Sequence, residues 1–226
     1  MVMGVEERFR LIARNTEEIV TESQLRELLK KKEKPVVYLG TAITGRPHVS
    51  YFLWVLKLSD FLKAGFKVKI LLADLHGALD GTSWVILDKR YDYYAKIIPL
   101  MFEAIGVDLK NLEFVKGSEF ELKPEYMHDV LQVSSLASIH DLKKAASEVV
   151  KLVQGEQAKL SGLIYPIMQM IDEQYLGADV QYGGADQRKI FMFAREYHQK
   201  IGYKPRVEVM TPLIPGLAGK KMSASD

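Results

Sequence analysis

The sequence predicts an α/β protein with a Rossmann-like, doubly wound parallel sheet and a helical insertion. The first observation is a β-loop-α-β unit, in which two apolar runs at residues 35–41 and 67–76 flank a helical pattern over 48–63. The second is that strand and helix patterns alternate along the chain, which is typical of parallel sheets. The third is size, because 226 residues with 48% hydrophobic content can bury one large core.

Residues 1–34 are predicted to form a helical lead-in to the sheet. Two short amphipathic helices fall between Glu6 and Lys32, and Thr21 is placed to cap the second one. After the first strand, Pro47 is expected to start the next helix, and Gly65 is expected to end it.

The rest of the sequence continues this alternation around an insertion. A helix over 84–105, ended by Gly106, precedes a strand that starts at Leu112. Residues 123–154 have the pattern of a helix pair, so the insertion is expected at about 120–160. The remaining predictions are a helix over 163–176 with Pro166 in its first turn, a strand at 180–184, a helix over 185–201 and a strand from Val207.

Composition excludes several classes of protein. The 31 basic and 29 acidic residues give a net charge of +2, which permits a local nucleic-acid surface but not a strongly basic wrapping protein. The sequence contains no cysteine, which excludes disulfides, thiolate metal sites and thiol nucleophiles. The start of the chain lacks the apolar core of a signal peptide, and no run reaches membrane-spanning length, so we expect a cytoplasmic protein without a membrane partner.

Two loops have a composition suited to phosphate. The first combines Gly45, Pro47 and His48 after the first strand, where a helix N-terminus favours anions. The second, at residues 219–226, places Lys221 near Ser223. Taken separately, each is weak evidence, because a histidine at a helix start is usually a cap or a packing residue and a lysine pair is usually solvated.

Together the two loops resemble a known pair of signatures. The sequence PHVSY at 47–51 is similar to the His-Ile-Gly-His signature of class I aminoacyl-tRNA synthetases, and KMSAS at 221–225 is similar to Lys-Met-Ser-Lys-Ser. The resemblance extends from about residue 8 and is closest to the archaeal and eukaryotic tyrosyl-tRNA synthetases, where the second histidine is often replaced, as Tyr51 replaces it here. It implies a catalytic domain over 35–226 with His48 and Lys221 as catalytic residues. The residues implied for ATP are Gly40, His48, Tyr51, Gly184, Asp186, Lys221 and Ser223.

A polar stripe indicates the second ligand. Tyr165, Gln169 and Asp172 fall at i, i+4 and i+7, which places them on one face of an otherwise apolar helix. The resemblance implies that Tyr38 and Asp172 bind the phenolic oxygen of tyrosine, and that Tyr165, Gln169 and Gln187 bind its ammonium group. Without the resemblance, Tyr38 would be interpreted as a core residue of the first strand.

A glycine turn completes the set of candidate residues. Gly183 and Gly184 end a strand, and Asp186 follows them, an arrangement that lets a ribose approach the backbone and bond to the carboxylate. Such turns are usually structural, and the resemblance to the ribose-binding turn of the family favours function. Asp74 and His76 follow the second strand, have no motif of their own, and are not assigned a catalytic role.

The implied activity is the activation of L-tyrosine with ATP, accompanied by Mg²⁺, and transfer to the acceptor end of tRNA(Tyr) by a homodimer. No carboxylate cluster in the sequence predicts a dedicated metal site. The anticodon-binding domain of the family is absent from the 226 residues, which leaves the transfer step open. The alternatives are a tryptophanyl-tRNA synthetase and a non-catalytic RNA-binding or regulatory relative of the same fold.

We expect His48→Ala and Lys221→Ala each to lower the rate of tyrosine activation far more than the affinity for tyrosine. Both groups would neutralise charge that builds on the phosphoryl oxygens in the transition state, and losing one such contact typically costs about 3 kcal/mol. Pre-steady-state adenylate formation with the purified variants measures the rate. Unchanged rates would refute the two assignments.

Overall fold

The computed structural model describes residues 3–150 and 159–213. Within them, six strands form one sheet in the order β1-β6-β5-β2-β3-β4. Strands β2 to β6 run parallel, and β1 pairs antiparallel with β6 at one edge. The strands are β1 Glu18–Val20, β2 Val36–Ala42, β3 Lys67–Ala73, β4 Leu112–Lys116, β5 Val180–Gly184 and β6 Val207–Thr211.

Helices cover both faces of this sheet. The helices are α1 Val5–Ala13, α2 Glu22–Lys31, α3 Tyr51–Lys63, α4 Asp74–Leu79, α5 Trp84–Ala104, α6 Pro124–Leu136, α7 Ile139–Ala146, α8 Leu160–Tyr175 and α9 Arg188–Lys200. Helices α1, α2, α3 and α5 pack on the face that carries Val37 and Leu39. Helices α4 and α6 to α9 pack on the opposite face, which carries Tyr38. None of them is both long and apolar enough to cross a membrane.

The topological switch of the sheet lies between β2 and β5. From β2 the chain moves outward through β3 and β4, and it then returns to the other side of β2 to form β5 and β6. Loops that leave β2 and β5 therefore diverge, and the crevice between them is where open α/β sheets bind ligands. The predicted doubly wound α/β fold is confirmed.

Several predicted elements have different boundaries. Thr21 caps α2 as expected, its hydroxyl accepting a hydrogen bond from the backbone N–H of Gln24. The lead-in also contains β1, which the sequence does not predict, because a strand of three residues exists only through its pairing with β6. Pro47 does not start α3, and the carbonyl of His48 instead closes a turn with the N–H of Tyr51.

The second strand and the proline helix also differ from the prediction. Strand β3 ends at Ala73, and Asp74 starts the short helix α4, so the predicted strand over 67–76 is too long. Pro166 lies inside α8, which begins at Leu160, and not in the first turn. The predicted helix over 185–201 begins with the 3-10 turn Ala185–Gln187 before α9. The lysine loop with Lys221 and Ser223 lies outside the described residues.

A row of polar side chains crosses the face of the sheet beneath α8. Tyr38, Gln181 and Glu208 are register partners on β2, β5 and β6, so their side chains share one face. Glu208 on β6 is completely buried, and so is Glu173 on α8, which packs over it. Burial raises the pKa of both carboxyl groups, although Arg195 and Arg206 lie close enough to oppose the shift.

We expect Glu208→Gln to increase the free energy of unfolding more at about pH 7.5 than at about pH 5. Unfolded Glu208 releases its proton near its ordinary pKa of about 4.3, whereas the folded protein retains this proton to higher pH. The folded state therefore binds more protons above that pKa, and the stability of the wild-type protein falls as pH rises. Glutamine removes this loss, which we expect to amount to about 1–3 kcal/mol.

Chemical denaturation at the two pH values measures the difference. Glu196→Gln is the matched control, because Glu196 lies on the exposed surface of α9 in an ion pair with Lys200. An equal effect of the two substitutions at both pH values would contradict the expectation.

Candidate active site

A buried carboxylate on α8 organises one end of the site. Asp172 is 0% exposed. Its Oδ1 accepts a hydrogen bond of 2.7 Å from the hydroxyl of Tyr126, and its Oδ2 accepts one of 3.4 Å from the hydroxyl of Tyr38. The expected convergence of Tyr38 and Asp172 is therefore confirmed. Because the Tyr38 bond is long and a carboxylate has about four acceptor positions, Oδ2 can accept a stronger bond from a ligand hydroxyl.

The spacing of the stripe on α8 explains how the other polar residues reach the site. Gln169 is buried one turn before Asp172, and its Nε2 donates to Oε1 of Gln187 at 3.1 Å. Tyr165 is half-buried, and its ring contacts the ring of His76 edge-on with 4.6 Å between centroids. Gln169 and Tyr165 thus lie on the same face of α8 as Asp172, and Gln187 reaches Gln169 from the 3-10 turn after β5.

Gly40 makes room for the Tyr38 hydroxyl. A Cβ at position 40 would lie 2.7 Å from Oη of Tyr38, closer than the two atoms can approach. Any larger residue would displace the phenol from Asp172. The ATP contact implied for Gly40 stays a prediction. The space required by the Tyr38 hydroxyl is a separate reason for glycine at position 40 of β2.

Two further ionisable groups surround Asp172. Nε2 of His76 lies 3.7 Å from Asp172 Oδ2, and Nδ1 lies 3.6 Å from Oε1 of Glu121. Burial lowers the pKa of His76 to about 4, so the imidazole is neutral at neutral pH. Burial raises the pKa of Glu121 and of Asp172, but the hydroxyls of Tyr126 and Tyr38 oppose the shift at Asp172. Asp172 is therefore the first of the two carboxyls to ionise.

A cavity of about 190 Å³ lies at the switch point. Its walls come from the start of α3, the end of β5 and the segment after β6. The lining residues that define these walls are Ser50 and Trp54, Gly183 and Gly184, and Thr211 and Leu213. The position matches the crevice expected for ligands of a doubly wound sheet.

His48 adjoins this cavity through Ser50. Nδ1 of His48 and Oγ of Ser50 are 2.8 Å apart, and the hydrogen bond fixes the orientation of the imidazole. Tyr51 points elsewhere, because its hydroxyl bonds to the hydroxyl of Tyr94 at 3.0 Å and its ring packs in the core. An ATP contact of Tyr51 stays a prediction, and the structure gives its hydroxyl a partner in the protein.

The glycine turn approaches the cavity from β5. A Cβ at Gly184 would lie 2.6 Å from Oδ1 of Asp186 and 2.9 Å from Leu213. A Cβ at Gly183 would lie 2.7 Å from the ring of Phe191. Both glycines are therefore needed for close packing, and Asp186 is held beside the wall of the cavity.

The structure adds residues that the sequence does not reveal. Tyr126 makes the shortest bond to Asp172, and Glu121 is fully buried beside it. Both lie at the start of the insertion, and neither belongs to a recognisable motif, so no local signal could have identified them. The burial of His76 against Asp172 is likewise not predictable from its place after a strand.

The same cluster contains the side chains that could ligate a metal. Within residues 3–150 and 159–213, the one group of three metal-ligating side chains is His76, Glu121 and Asp172. It lies at the phenol end, with Tyr38 and Tyr126, and its members do not line the 190 Å³ cavity. The described residues therefore provide no carboxylate cage for Mg²⁺ at that cavity.

Known proteins share this sequence pattern over most of the chain. The family model for "tRNA synthetases class I (W and Y)" matches residues 30–226. The cytoplasmic tyrosine–tRNA ligase of Danio rerio is 50% identical over 226 residues, covering 99% of this chain and 42% of that protein. The probable cytoplasmic tyrosine–tRNA ligase of Vairimorpha ceranae is 46% identical, with 99% of this chain and 68% of that protein covered. The chain thus spans less than half the length of the Danio rerio relative.

Solved structures of tyrosyl- and tryptophanyl-tRNA synthetases also match this chain. The tyrosyl-tRNA synthetase of Archaeoglobus fulgidus, crystallised with L-tyrosine, matches with a TM-score of 0.90 and 39% identity, covering 98% of this chain and 68% of that one. A tryptophanyl-tRNA synthetase of Aeropyrum pernix matches with a TM-score of 0.70 and 21% identity, covering 90% and 55%. The second likeness shows the shared fold alone.

We expect Tyr126→Phe to lower the free energy of unfolding by about 1–3 kcal/mol, because it removes a buried donor and leaves Asp172 Oδ1 without that bond. Urea denaturation measures the change. Tyr93→Phe is the matched control, since Tyr93 is 45% exposed on α5. A loss no larger than that of the control would show that the Tyr126 bond contributes little.

Proposed function

The chain belongs to the class I tRNA synthetase family of the tryptophan and tyrosine enzymes, and we propose that it activates L-tyrosine with ATP. The proposed products are tyrosyl-adenylate and pyrophosphate, and the adenylate is the donor for transfer to tRNA(Tyr). The observation that carries the proposal is the buried carboxylate of Asp172 with the phenol of Tyr38, which together can accept from and donate to a ligand hydroxyl.

This pair favours tyrosine over the other aromatic amino acids. Phenylalanine would leave the buried polar atoms without a ligand partner, and tyrosyl-tRNA synthetases are themselves the established example of such rejection, at about 10⁵-fold. Indole has no oxygen to place beside Asp172, which argues against tryptophan. At the other end of the ligand, the amide pair Gln169 and Gln187, together with Tyr165, supports an ammonium site by means of carbonyl and hydroxyl acceptors.

The proposed reaction needs no general base. An oxygen of the tyrosine carboxylate forms a bond to the α-phosphorus of ATP, and the bond from that phosphorus to the bridging oxygen of pyrophosphate breaks. The protein would position the two anions and stabilise charge on the phosphoryl oxygens. We assign this stabilisation to His48, oriented by Ser50, and to Lys221, which follows β6 in the sequence.

The nucleotide is proposed to occupy the cavity at the switch point. Gly184 lines this cavity and Asp186 lies next to it, which supports ribose binding at the turn after β5. Mg²⁺ would be held by the triphosphate oxygens, since the described residues offer no carboxylate cage there.

The partners are proposed from the relatives and from surface charge. Lys144, Arg188 and Lys189 line a second cavity of about 300 Å³ between α7 and α9, which could contact RNA phosphates. Arg188 and Lys189 are at present paired with Glu18 and Glu148. We also propose a homodimer formed through the insertion, as the family resemblance implies. A cytoplasmic location is proposed because the names of the relatives include this word.

We expect tyrosine, and neither tryptophan nor phenylalanine, to support exchange of labelled pyrophosphate into ATP. We also expect Tyr38→Phe to reduce the preference for tyrosine over phenylalanine by about 10- to 100-fold, because it removes one buried hydrogen-bonding partner of the ligand. Tyr93→Phe is the matched control, since Tyr93 is 45% exposed on α5 and does not line the cavity at the switch point.

The outcomes separate the alternatives. Exchange with tryptophan alone would assign the chain to the tryptophan enzymes. No exchange with any of the three amino acids would contradict the proposed activity and would favour a non-catalytic relative.

A further inference from the structure

The loop that carries His48 makes few hydrogen bonds of its own. It connects β2, which ends at Ala42, to α3, which begins at Tyr51. Within residues 3–150 and 159–213, the backbone of residues 44–47 bonds to no other backbone group, and the first bond within the loop joins the carbonyl of His48 to the N–H of Tyr51. A loop that must hold an imidazole in one place therefore needs anchors from other parts of the fold.

Two side chains of α5 supply such anchors. Arg90 and Tyr94 are four residues apart, so they lie on one face of the helix. Nη1 of Arg90 donates to the carbonyl of Ile43 at 3.3 Å. The hydroxyl of Tyr94 accepts a hydrogen bond from the N–H of Gly45. Helix α5 therefore holds the backbone of the loop at two points that precede His48.

The hydroxyl of Tyr94 reaches His48 by a second route. It lies 3.0 Å from the hydroxyl of Tyr51, which also bonds to the side chain of Thr41 on β2. A phenol has one proton to donate, so the bonds are consistent when Tyr94 accepts from Gly45 and donates to Tyr51. The ring of Tyr51 packs edge-on against the imidazole of His48, with 5.4 Å between centroids. Tyr94 thus restrains both the backbone before His48 and the ring beside it.

The position of Tyr94 leaves its hydroxyl no other partner to serve. The side chain is completely buried in the core between α3 and α5, and it does not line the 190 Å³ cavity. Phenylalanine would fill the same core position without a polar atom that needs a hydrogen bond. Both bonds of the hydroxyl lead to the loop or to the residue that packs on His48, so the loop explains why a tyrosine is there.

We propose that Tyr94 is a positioning residue for His48. Its hydroxyl fixes the backbone at Gly45 and the ring of Tyr51, and these two contacts hold the imidazole beside the cavity. Ser50 sets the rotation of the imidazole, whereas Tyr94 sets the place of the loop that carries it. This role rests on the proposed activation of tyrosine, in which His48 stabilises charge on the phosphoryl oxygens.

Tyr94→Phe tests the proposal, because it removes the hydroxyl and keeps the ring. We expect it to lower kcat for tyrosine-dependent pyrophosphate exchange by about tenfold, since a misplacement of about 1 Å can cost about 100-fold and the Arg90 anchor remains. KM for tyrosine should stay within about twofold of the wild-type value, because Tyr38 and α8 lie on the opposite face of the sheet. Tyr93→Phe is the matched control, since it removes an exposed hydroxyl from the same helix.

A double-mutant cycle separates positioning from a general loss of stability. In His48→Ala protein the imidazole is absent, so we expect Tyr94→Phe to change kcat there by less than about twofold. A residue with a merely structural role would lower kcat to the same extent in both backgrounds. A tenfold effect that persists beside His48→Ala would therefore overturn the proposal, and so would a Tyr94→Phe protein with the kcat of the wild type.

The amide of Gly45 gives a readout that does not depend on activity. In protein labelled with ¹⁵N-glycine, the resonance lost in Gly45→Ala assigns this amide. We expect its hydrogen to exchange with solvent about tenfold faster in Tyr94→Phe than in the wild-type protein or in Tyr93→Phe, because its acceptor is gone. Equal exchange rates in the three proteins would overturn the role of Tyr94.

The two measurements distinguish this proposal from the proposed function. Normal pyrophosphate exchange in the wild type, with no effect of Tyr94→Phe on kcat or on the Gly45 amide, would refute the positioning role alone. Wild-type protein without tyrosine-dependent exchange, but with a Gly45 amide that depends on Tyr94, would refute the proposed function, and the role of Tyr94 in that reaction with it.

Discussion

The structure depends on a carboxylate that is buried where the sheet and the insertion meet. Asp172 is completely buried, so its carboxyl group needs hydrogen-bond donors from the surrounding protein. Tyr38 supplies one from the sheet and Tyr126 supplies one from the insertion. The same requirement restricts position 40 to glycine, because any side chain there would displace the Tyr38 hydroxyl.

The topology of the sheet places Tyr38, the partner of this carboxylate, and the proposed nucleotide cavity on the same two neighbouring strands. Tyr38 and Gly40 are on β2, and Gly184 is at the end of β5, the two strands that flank the switch point. A ligand with a phenol at one end and a carboxylate at the other could therefore reach from Asp172 toward the cavity. Under the proposed function, tyrosine and the nucleotide would both bind at the neighbouring strands β2 and β5, which would favour precise positioning.

Much of the fold is predictable from local patterns. The alternation of strand and helix, the Thr21 cap and the helix pair of the insertion are all present in the structure. Boundaries differ where local signals compete. Pro47 suggests a helix start, yet the backbone of 48–50 makes a turn, and the apolar run after Lys67 continues into α4 without a break in composition. Strand β1 depends on its partner β6, so its three residues carry no signal of their own.

The sequence by itself determined the class of fold, the stripe of Tyr165, Gln169 and Asp172, and the two loops that resemble synthetase signatures. These features are local, since helical periodicity and short motifs depend on residues close together in the chain. Only the tertiary structure decided that Glu121, His76 and Tyr126 surround Asp172. Their proximity comes from the packing of α4, α6 and α8 on one face of the sheet, and the pKa of a buried group depends on that packing and not on its sequence neighbours.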